Sequence, residues 1–164
     1  MVVVVGADLV YVGFFRSVCE AKPCSFDGVY QPSLPETFSN GKVLLLSYFY
    51  DRVKPLLPPP SSSPTSSTPA PLTVSSFADL ATSVCLGRPE WEKRWAGNAL
   101  AMEELAGRPE YCLDLTYMYA LLRLGYEFND ARTVEMEKQI DGTELGWALG
   151  AAIAMVGAEL TCRA

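Results

Sequence analysis

A segment rich in proline, serine and threonine divides this sequence into two unequal parts. Residues 55–71 hold seven of the chain's 12 prolines, and serine or threonine fills seven of the eight positions from Ser61 to Thr68. Such a composition buries too little apolar surface to offset the entropy lost on ordering. Residues 58–71 are therefore predicted to be a disordered insert, with bare flexibility or O-glycosylation as its alternative uses. The part before it has too few elements to fold alone.

Charge and composition exclude several classes of function. The 164 residues carry 13 Lys and Arg against 19 Asp and Glu, a net charge of −6. Nucleic-acid binding needs a basic patch, so no nucleic-acid partner is expected. The sequence also contains no histidine, which excludes His-based general-base catalysis and Ser-His-Asp or Cys-His nucleophiles. A hydrophobic content of 49% is enough for a buried core.

The sequence offers no clear targeting segment. No apolar stretch reaches the roughly 18–20 residues that span a bilayer as a helix. Residues 2–5 are four valines, and they predict a buried strand rather than a signal peptide, because no basic n-region or small-residue cleavage site accompanies them.

Five cysteines occur, and none forms a Cys-x-x-Cys pair, which excludes thioredoxin-like and zinc-ribbon sites. They are Cys19, Cys24, Cys85, Cys112 and Cys162. Their odd number leaves two interpretations open. One is two disulfides plus a free thiol in an oxidising compartment. The other is five reduced thiols in the cytosol.

After the insert, apolar residues recur at helical spacing. The pattern predicts helices over residues 75–85, 90–105, 110–124 and 144–156. Ser75 or Ser76 is expected to cap the first helix and Thr143 the last, while Gly97 weakens the second. Residues expected on or near the apolar faces of the first three are Phe77, Leu80, Ala81, Val84, Cys85, Trp91, Trp95, Leu100, Leu105, Tyr111, Leu115, Met118 and Leu122.

Short strands are predicted over residues 29–31 and 133–139. Residues 43–50 form a continuous apolar run. Such a run is typical either of a strand buried on both faces or of a strand that leads into a helix.

No motif for self-contained chemistry is present. The sequence has neither a P-loop nor a GxGxxG pattern, and no acidic cluster has EF-hand spacing. Two carboxylate pairs, Glu103–Glu104 and Glu135 with Glu137, fall on predicted exposed faces. Both are therefore interpreted as solvated surface.

Four segments, taken in order, do carry a family resemblance. Residues 139–150 include Gly-Trp-Ala-Leu-Gly, which resembles the last signature motif of the nucleoside phosphatases that include Golgi guanosine diphosphatases and apyrases. Residues 22–34, with Cys-Ser-Phe-Asp-Gly-Val, and residues 43–52 resemble earlier elements of the same family. Residues 110–128 resemble the segment just before the last motif. The resemblance covers residues 19–156 and is strongest to fungal Golgi enzymes, whereas residues 1–17 do not fit it.

The resemblance implies an α/β fold, rich in helices, with a few buried strands that belong to part of an actin-like, ribonuclease H-like lobe. In the family, two such lobes enclose a nucleoside di- or triphosphate. A glutamate activates water, two glycine-rich loops hold the phosphates, and Ca²⁺ or Mg²⁺ bridges them.

The earlier motifs do not occur in this sequence. Residues 18–57 and 72–164 are therefore expected to form the C-terminal part of such an enzyme. The N-terminal lobe and any membrane anchor are expected to lie outside this chain. No metal is expected to be bound by residues of this chain alone, and no catalytic residue is assigned to it.

The resemblance also implies roles for individual residues. Tyr50 and Tyr111 match the two aromatic residues that sandwich the nucleobase, for which a tyrosine ring offers a stacking face; core packing of both is the alternative. Relatives place an arginine shortly before the second aromatic residue, where Arg108 lies three residues upstream. Trp147, between Gly146 and Gly150 of the last motif, is expected to dock the last helix.

Two disulfides are implied by the resemblance, Cys19–Cys24 and Cys85–Cys112, which leaves Cys162 unpaired. The expected function is that of a C-terminal fragment of a nucleoside diphosphatase acting on GDP or UDP in the Golgi lumen, where it supports glycosylation. A non-catalytic nucleotide- or protein-binding remnant is the alternative. A product that does not fold is a third.

Overall fold

The computed structural model describes residues 2–5, 8–11, 24–25, 29–30, 32–58, 71–140, 142–144 and 151–155. It is an α/β arrangement in which helices predominate over four small two-stranded sheets. Apart from its two ends, the insert predicted over residues 58–71 lies outside the described residues.

Two helices form the centre of the fold. Helix α3 spans Val74–Cys85 and α6 spans Tyr111–Ala120. Both carry the apolar stripe that the sequence predicts, so each buries one face against the other. The buried side chains that confirm these stripes are Phe77, Leu80, Ala81, Val84, Tyr111, Leu115, Met118 and Leu122.

The start of α3 differs slightly from the prediction. Thr73, rather than Ser75 or Ser76, is the N-cap residue. The Thr73 backbone N–H donates to Ser76 Oγ at 3.1 Å, so the predicted serine serves as the capping-box partner three residues on. Gly87 follows the end of α3 at φ +82°, a backbone conformation that favours glycine.

The apolar run at residues 43–50 is a strand that leads into a helix. Strand β5 spans Leu44–Leu46, and α2 spans Tyr48–Val53, followed by a 3₁₀ turn at Lys54–Leu56. The alternative prediction, a strand buried on both faces, is wrong, because Leu44 is 37% exposed while Leu45 is buried. Across from it, β6 at Glu135–Glu137 pairs in parallel, with Leu45 opposite Met136.

The helix predicted over residues 90–105 is in fact two helices. Helix α4 spans Arg88–Trp95 and α5 spans Ala99–Gly107. The break falls at Gly97 and Asn98, where Asn98 Oδ1 accepts from the Ala101 N–H at 3.1 Å and starts α5. An asparagine cap is favoured at a helix start because it satisfies an otherwise unpaired backbone donor.

The helix predicted over residues 110–124 is confirmed with a change in its last turn. Helix α6 ends at Ala120, and the chain widens into a π-helical turn over Leu121–Gly125. Such turns are rare and are often associated with functional regions. The turn still buries Leu122, so the apolar face continues to its end.

Three antiparallel hairpins complete the described chain. Strand β1 (Val2–Val5) pairs with β2 (Asp8–Tyr11), and β3 (Cys24–Ser25) pairs with β4 (Val29–Tyr30). The strand predicted at residues 2–5 is thus confirmed as a strand, and the one predicted over 29–31 is confirmed at the two described residues, 29–30. The third hairpin joins β7 (Gln139–Ile140) to β8 (Thr143–Glu144).

Thr143 as the cap of a last helix is therefore wrong. Thr143 instead pairs with Ile140 across the hairpin, and Gly142 precedes it at φ +76°; the sequence Asp-Gly is a strong signal for such turns. Residues 151–155 are helical, as predicted. The intervening residues 145–150 lie outside the described ones. The strand predicted over 133–139 shortens to β6, with a bend before β7.

Leu45 is buried, and it is the one buried side chain among those that the structure describes on the strands. The side chains of β1 to β3 lie outside that description, so the expectation of a few buried strands stays a prediction. A short helix, α1 (Leu34–Thr37), lies before β5. Among the described helices, none is both long and apolar enough to cross a membrane.

Candidate functional site

A cleft of about 430 Å³ opens between two helical connections. One wall is α2 with its 3₁₀ turn, and the other is the break between α4 and α5. This volume lies in the range of small-molecule binding sites. The lining residues that bear on its chemistry are Tyr50, Asp51, Lys54, Leu57, Asn98 and Leu100.

Helix α2 brings the chemical groups of the first wall together. Tyr50 and Lys54 lie four residues apart, so they share one side of the helical segment. Val53, between them, is fully buried on the opposite side. The helix begins after Ser47, whose φ of +49° makes a sharp elbow between β5 and α2. The apolar anchor and the elbow together fix which side chains face the cleft.

Hydrogen bonds across the cleft floor hold its two walls at a fixed spacing. The Asn98 Nδ2 donates to the Pro55 carbonyl at 3.0 Å, while Asn98 Oδ1 is the helix cap. The buried Trp95 Nε1 donates to the Leu56 carbonyl at 2.9 Å. Both bonds join the 3₁₀ turn to the α4–α5 break, about 40 residues further along the chain. The cleft is therefore largely pre-formed.

The cleft offers three kinds of contact to a ligand. Tyr50 is half-buried and presents an aromatic ring, and Leu57 adds apolar surface. The Asp51 carboxylate accepts hydrogen bonds, and its ion-pair partner Lys138 is 4.0 Å away. Lys54, which is exposed, supplies an ammonium donor. A flat ring beside polar edge groups suits a planar heterocycle that carries hydrogen-bonding atoms.

Tyr111 lies away from this cleft, in the core. Its side chain is 1% exposed, and burial raises its pKa to about 12. The Arg52 guanidinium carbon is 5.3 Å from the centroid of the ring, a cation–π distance. The structure thus shows Tyr50 on a cleft and Tyr111 beneath Arg52, and it does not bring the two rings together on one open site. The stacking role of Tyr111 stays a prediction.

Arg52 joins α2 to α6 through a part-buried charge cluster. Its Nε is 2.8 Å from Asp114 Oδ2, and each side chain is only 12% exposed. The guanidinium carbon is also 5.1 Å from the centroid of the Tyr48 ring. Burial, with a hydrogen bond to Asp114, raises the pKa of Tyr48. This cluster orients α2, and through α2 it orients Tyr50.

Arg108, the arginine just before Tyr111, forms an ion pair with Glu104. Its Nε is 2.9 Å from Glu104 Oε2 on the preceding turn, and its side chain is 46% exposed. This pair is a surface ion pair of small energetic worth. Glu135 pairs in the same way with Lys42 at 3.0 Å. The two carboxylate pairs are therefore on the surface, as predicted.

The Cys85–Cys112 disulfide is confirmed. It joins the end of α3 to the first turn of α6, with a Cα–Cα distance of 4.8 Å. Thr116 Oγ1 donates to the Cys112 carbonyl at 2.7 Å beside it. Cys19 lies outside the described residues, so the Cys19–Cys24 pairing stays a prediction. Gly146, Trp147 and Gly150 also lie outside them.

Sequence reasoning missed three residues of the cleft. The sequence assigns no role to Asp51 or Lys54, because the 3₁₀ turn that aligns Lys54 with Tyr50 has no clear sequence pattern ahead of the proline-rich insert. Asn98 was placed inside a helix. Its signal was available, since an asparagine after glycine and before an apolar run is typical of a helix N-cap.

Among the described residues, no group of three or more cysteine or acidic side chains is arranged to hold a metal ion. The described residues do not fit a Ca²⁺ or Mg²⁺ site of their own.

Residues 9–161 match the GDA1/CD39 (nucleoside phosphatase) family, to which this chain belongs.

Its relatives include fungal proteins. The chain is 43% identical over 150 residues to a probable guanosine-diphosphatase of Aspergillus fumigatus, covering 90% of this chain and 28% of the relative. It is 41% identical over 138 residues to the guanosine-diphosphatase of Schizosaccharomyces pombe, covering 84% and 23%. With the guanosine-diphosphatase of Saccharomyces cerevisiae the identity is 37% over 142 residues, covering 86% and 26%. The chain thus spans about a quarter of the length of these relatives.

Proposed function

We propose that this chain supplies the nucleobase-binding side of a nucleoside diphosphatase that cleaves the terminal phosphate of GDP or UDP. The observation that carries the proposal is the pre-formed cleft with Tyr50 on its wall. The names of the fungal relatives support the same substrate class.

In this proposal, residues 18–57 and 72–164 form the C-terminal part of the enzyme, which is part of the second actin-like lobe and the helix that returns to the first. Residues 58–71 are an insert between its elements. Phosphate-binding loops, a water-activating glutamate and a divalent cation come from another part of the enzyme. The chain's own residues bind and orient the base, which fixes the terminal phosphate relative to those groups. A place in the Golgi lumen, with a role in glycosylation, follows from the family resemblance.

Stacking is the physical basis of base binding in the cleft. A nucleobase that lies on the Tyr50 ring gains about 1–3 kcal/mol, as measured by alanine substitution in other proteins. Tyr111 contributes to the same site only if Arg52 leaves its ring face, since the ring is covered here. Tyr50 is therefore the primary platform in this proposal.

The test is the binding of GDP and UDP to this chain, measured by isothermal titration calorimetry. We expect saturable binding that Tyr50→Ala weakens by about 5- to 150-fold, the equivalent of the stacking energy. Tyr117→Ala is the matched control, because Tyr117 is 44% exposed on α6 and does not line the cleft. Equal affinity for all three proteins would show that the cleft is not the base site.

A catalytic assay separates the enzyme from a binding remnant. Phosphate release from GDP by the longest protein that contains this chain, with Ca²⁺ or Mg²⁺ present, supports the diphosphatase. Binding without release, under the same conditions, supports the non-catalytic alternative.

A further inference from the structure

Asp51 is the only carboxylate among the described residues that line the cleft. It follows Tyr50 directly on α2, so the aromatic ring and the carboxylate approach one ligand from adjacent positions of the same helix. Its partner Lys138 is 4.0 Å away, and both side chains are at least half exposed, at 57% and 50%. Such a pair contributes little energy, so the carboxylate oxygens stay available as acceptors.

Two other polar side chains of the cleft do not offer a free hydrogen-bond acceptor. The Asn98 amide is already hydrogen-bonded, because its Nδ2 donates to the Pro55 carbonyl and its Oδ1 accepts from the Ala101 N–H. Lys54 only donates, since an ammonium group has no acceptor. Asp51 is thus the charged acceptor among the described cleft-lining side chains, beside the neutral hydroxyl of Tyr50.

Nucleobases differ sharply in what they present to a carboxylate. The Watson–Crick edge of guanine carries two adjacent donors, the N1–H and the N2 amino group, which match the two oxygens of one carboxylate. Uracil presents a single N3–H between two carbonyl oxygens, which a carboxylate repels. Adenine and cytosine each pair one donor with a ring-nitrogen acceptor. Hydrogen bonds to an ionised acceptor are stronger than those between neutral groups. A carboxylate can therefore distinguish the Watson–Crick edge of guanine from those of the other bases.

We propose that Asp51 is a specificity-determining residue that selects guanine by accepting from N1–H and the N2 amino group of a base stacked on Tyr50. The assignment deepens the proposed function and rests on it: of the two substrates proposed above, GDP is expected to bind more tightly than UDP. No bond is made or broken in this role, and Asp51 acts only through recognition of the base.

The experiment compares GDP with IDP, which lacks only the N2 amino group, by isothermal titration calorimetry on this chain. We expect the wild-type protein to bind GDP at least about 10-fold more tightly than IDP, because one charge-assisted hydrogen bond is lost with the amino group. Asp51→Asn keeps the size of the side chain but removes its charge and one acceptor. We expect it to weaken GDP binding by about 10- to 100-fold and to bring the GDP-to-IDP preference close to one.

Lys138→Gln is the matched control. It removes the other half of the ion pair, and Lys138 is not among the described cleft-lining residues. We expect its GDP-to-IDP preference to equal that of the wild type. Circular dichroism checks that both variants keep the helical fold.

The outcomes separate this assignment from the base site itself. Equal binding of GDP and IDP by the wild type, or an unchanged preference in Asp51→Asn, overturns the role of Asp51 while the base site stands. Loss of the preference in Lys138→Gln as well overturns direct recognition by Asp51. Absence of any nucleotide binding overturns the proposed base site and this assignment with it.

Discussion

Removal of the Cys85–Cys112 disulfide should cost this fold a large part of its stability. The bond closes a loop with a sequence separation of 27 residues. In the chain-entropy model, a loop of this length lowers the entropy of the unfolded chain by about 12 cal/mol/K. This corresponds to about 3.5 kcal/mol at room temperature. Small domains are stable by about 5–15 kcal/mol, so the loss is substantial.

The disulfide joins α3 to α6, so its loss acts on the centre of the core rather than on a peripheral loop. The assay is urea unfolding of the Cys85→Ala/Cys112→Ala variant, followed by tryptophan fluorescence. Trp95 is 4% exposed and its environment changes when the core opens. At a slope of about 1–3 kcal/mol/M, the midpoint should fall by about 1 to 3 M.

Reduction supplies the control. Wild-type protein in dithiothreitol should lose at least as much stability as the variant, and the variant in dithiothreitol reports what the remaining cysteines contribute. A variant within about 1 kcal/mol of the wild type, at an unchanged slope, would refute the reasoning from loop closure.

Three further predictions concern the walls and the charge cluster of the site. Burial raises the pKa of Tyr111 from 10.0 to about 12. The contribution of this side chain to the free energy of unfolding is therefore intact below about pH 10. It is lost between about pH 10 and 12, because the tyrosine of the unfolded chain ionises first in this range. In Tyr111→Phe, the free energy of unfolding measured in urea titrations should fall by about 1 kcal/mol less between pH 7 and pH 11 than in the wild type. Tyr111→Ala should lower the free energy of unfolding by about 3–5 kcal/mol at pH 7. Asn98→Ala removes a helix cap and a bond across the cleft floor, and it should lower stability by about 1–2 kcal/mol and weaken GDP binding. Among the described carboxylates, Asp114→Ala leaves the part-buried Arg52 with only the longer contact to Glu110, at 3.7 Å, so it should destabilise by about 1.5–3 kcal/mol, and Asp114→Asn should cost less in the same assay.

The helical core was accessible from the sequence because its signals are local. On α3 and α6 the apolar residues recur at intervals of three and four, and the same residues are buried in the structure. The Cys85–Cys112 bond was implied only by the family resemblance. Spacing alone left the pairing of five cysteines open.

Other features depend on contacts that no local pattern contains. The burial of Tyr111 beneath Arg52 joins residues 59 positions apart in the sequence. The two walls of the cleft are likewise held by hydrogen bonds from Trp95 and Asn98 to a turn about 40 residues earlier. The Asp-Gly turn before Thr143 is a different case. Its hairpin signal was present, but a threonine before an apolar run also resembles a helix cap, and the hairpin is what forms.

The parallel pairing of β5 with β6 has a consequence for the order in which the chain folds. Leu44 lies opposite Glu135, so 91 positions of sequence must close before the first rung of this ladder can form. Contacts at such range form late, whereas helices α3 to α6 meet within one continuous stretch of chain. The folding nucleus is then expected to be helical, and the β5–β6 ladder is expected to form after it. A nascent chain would thus complete its helical centre before this parallel pairing closes.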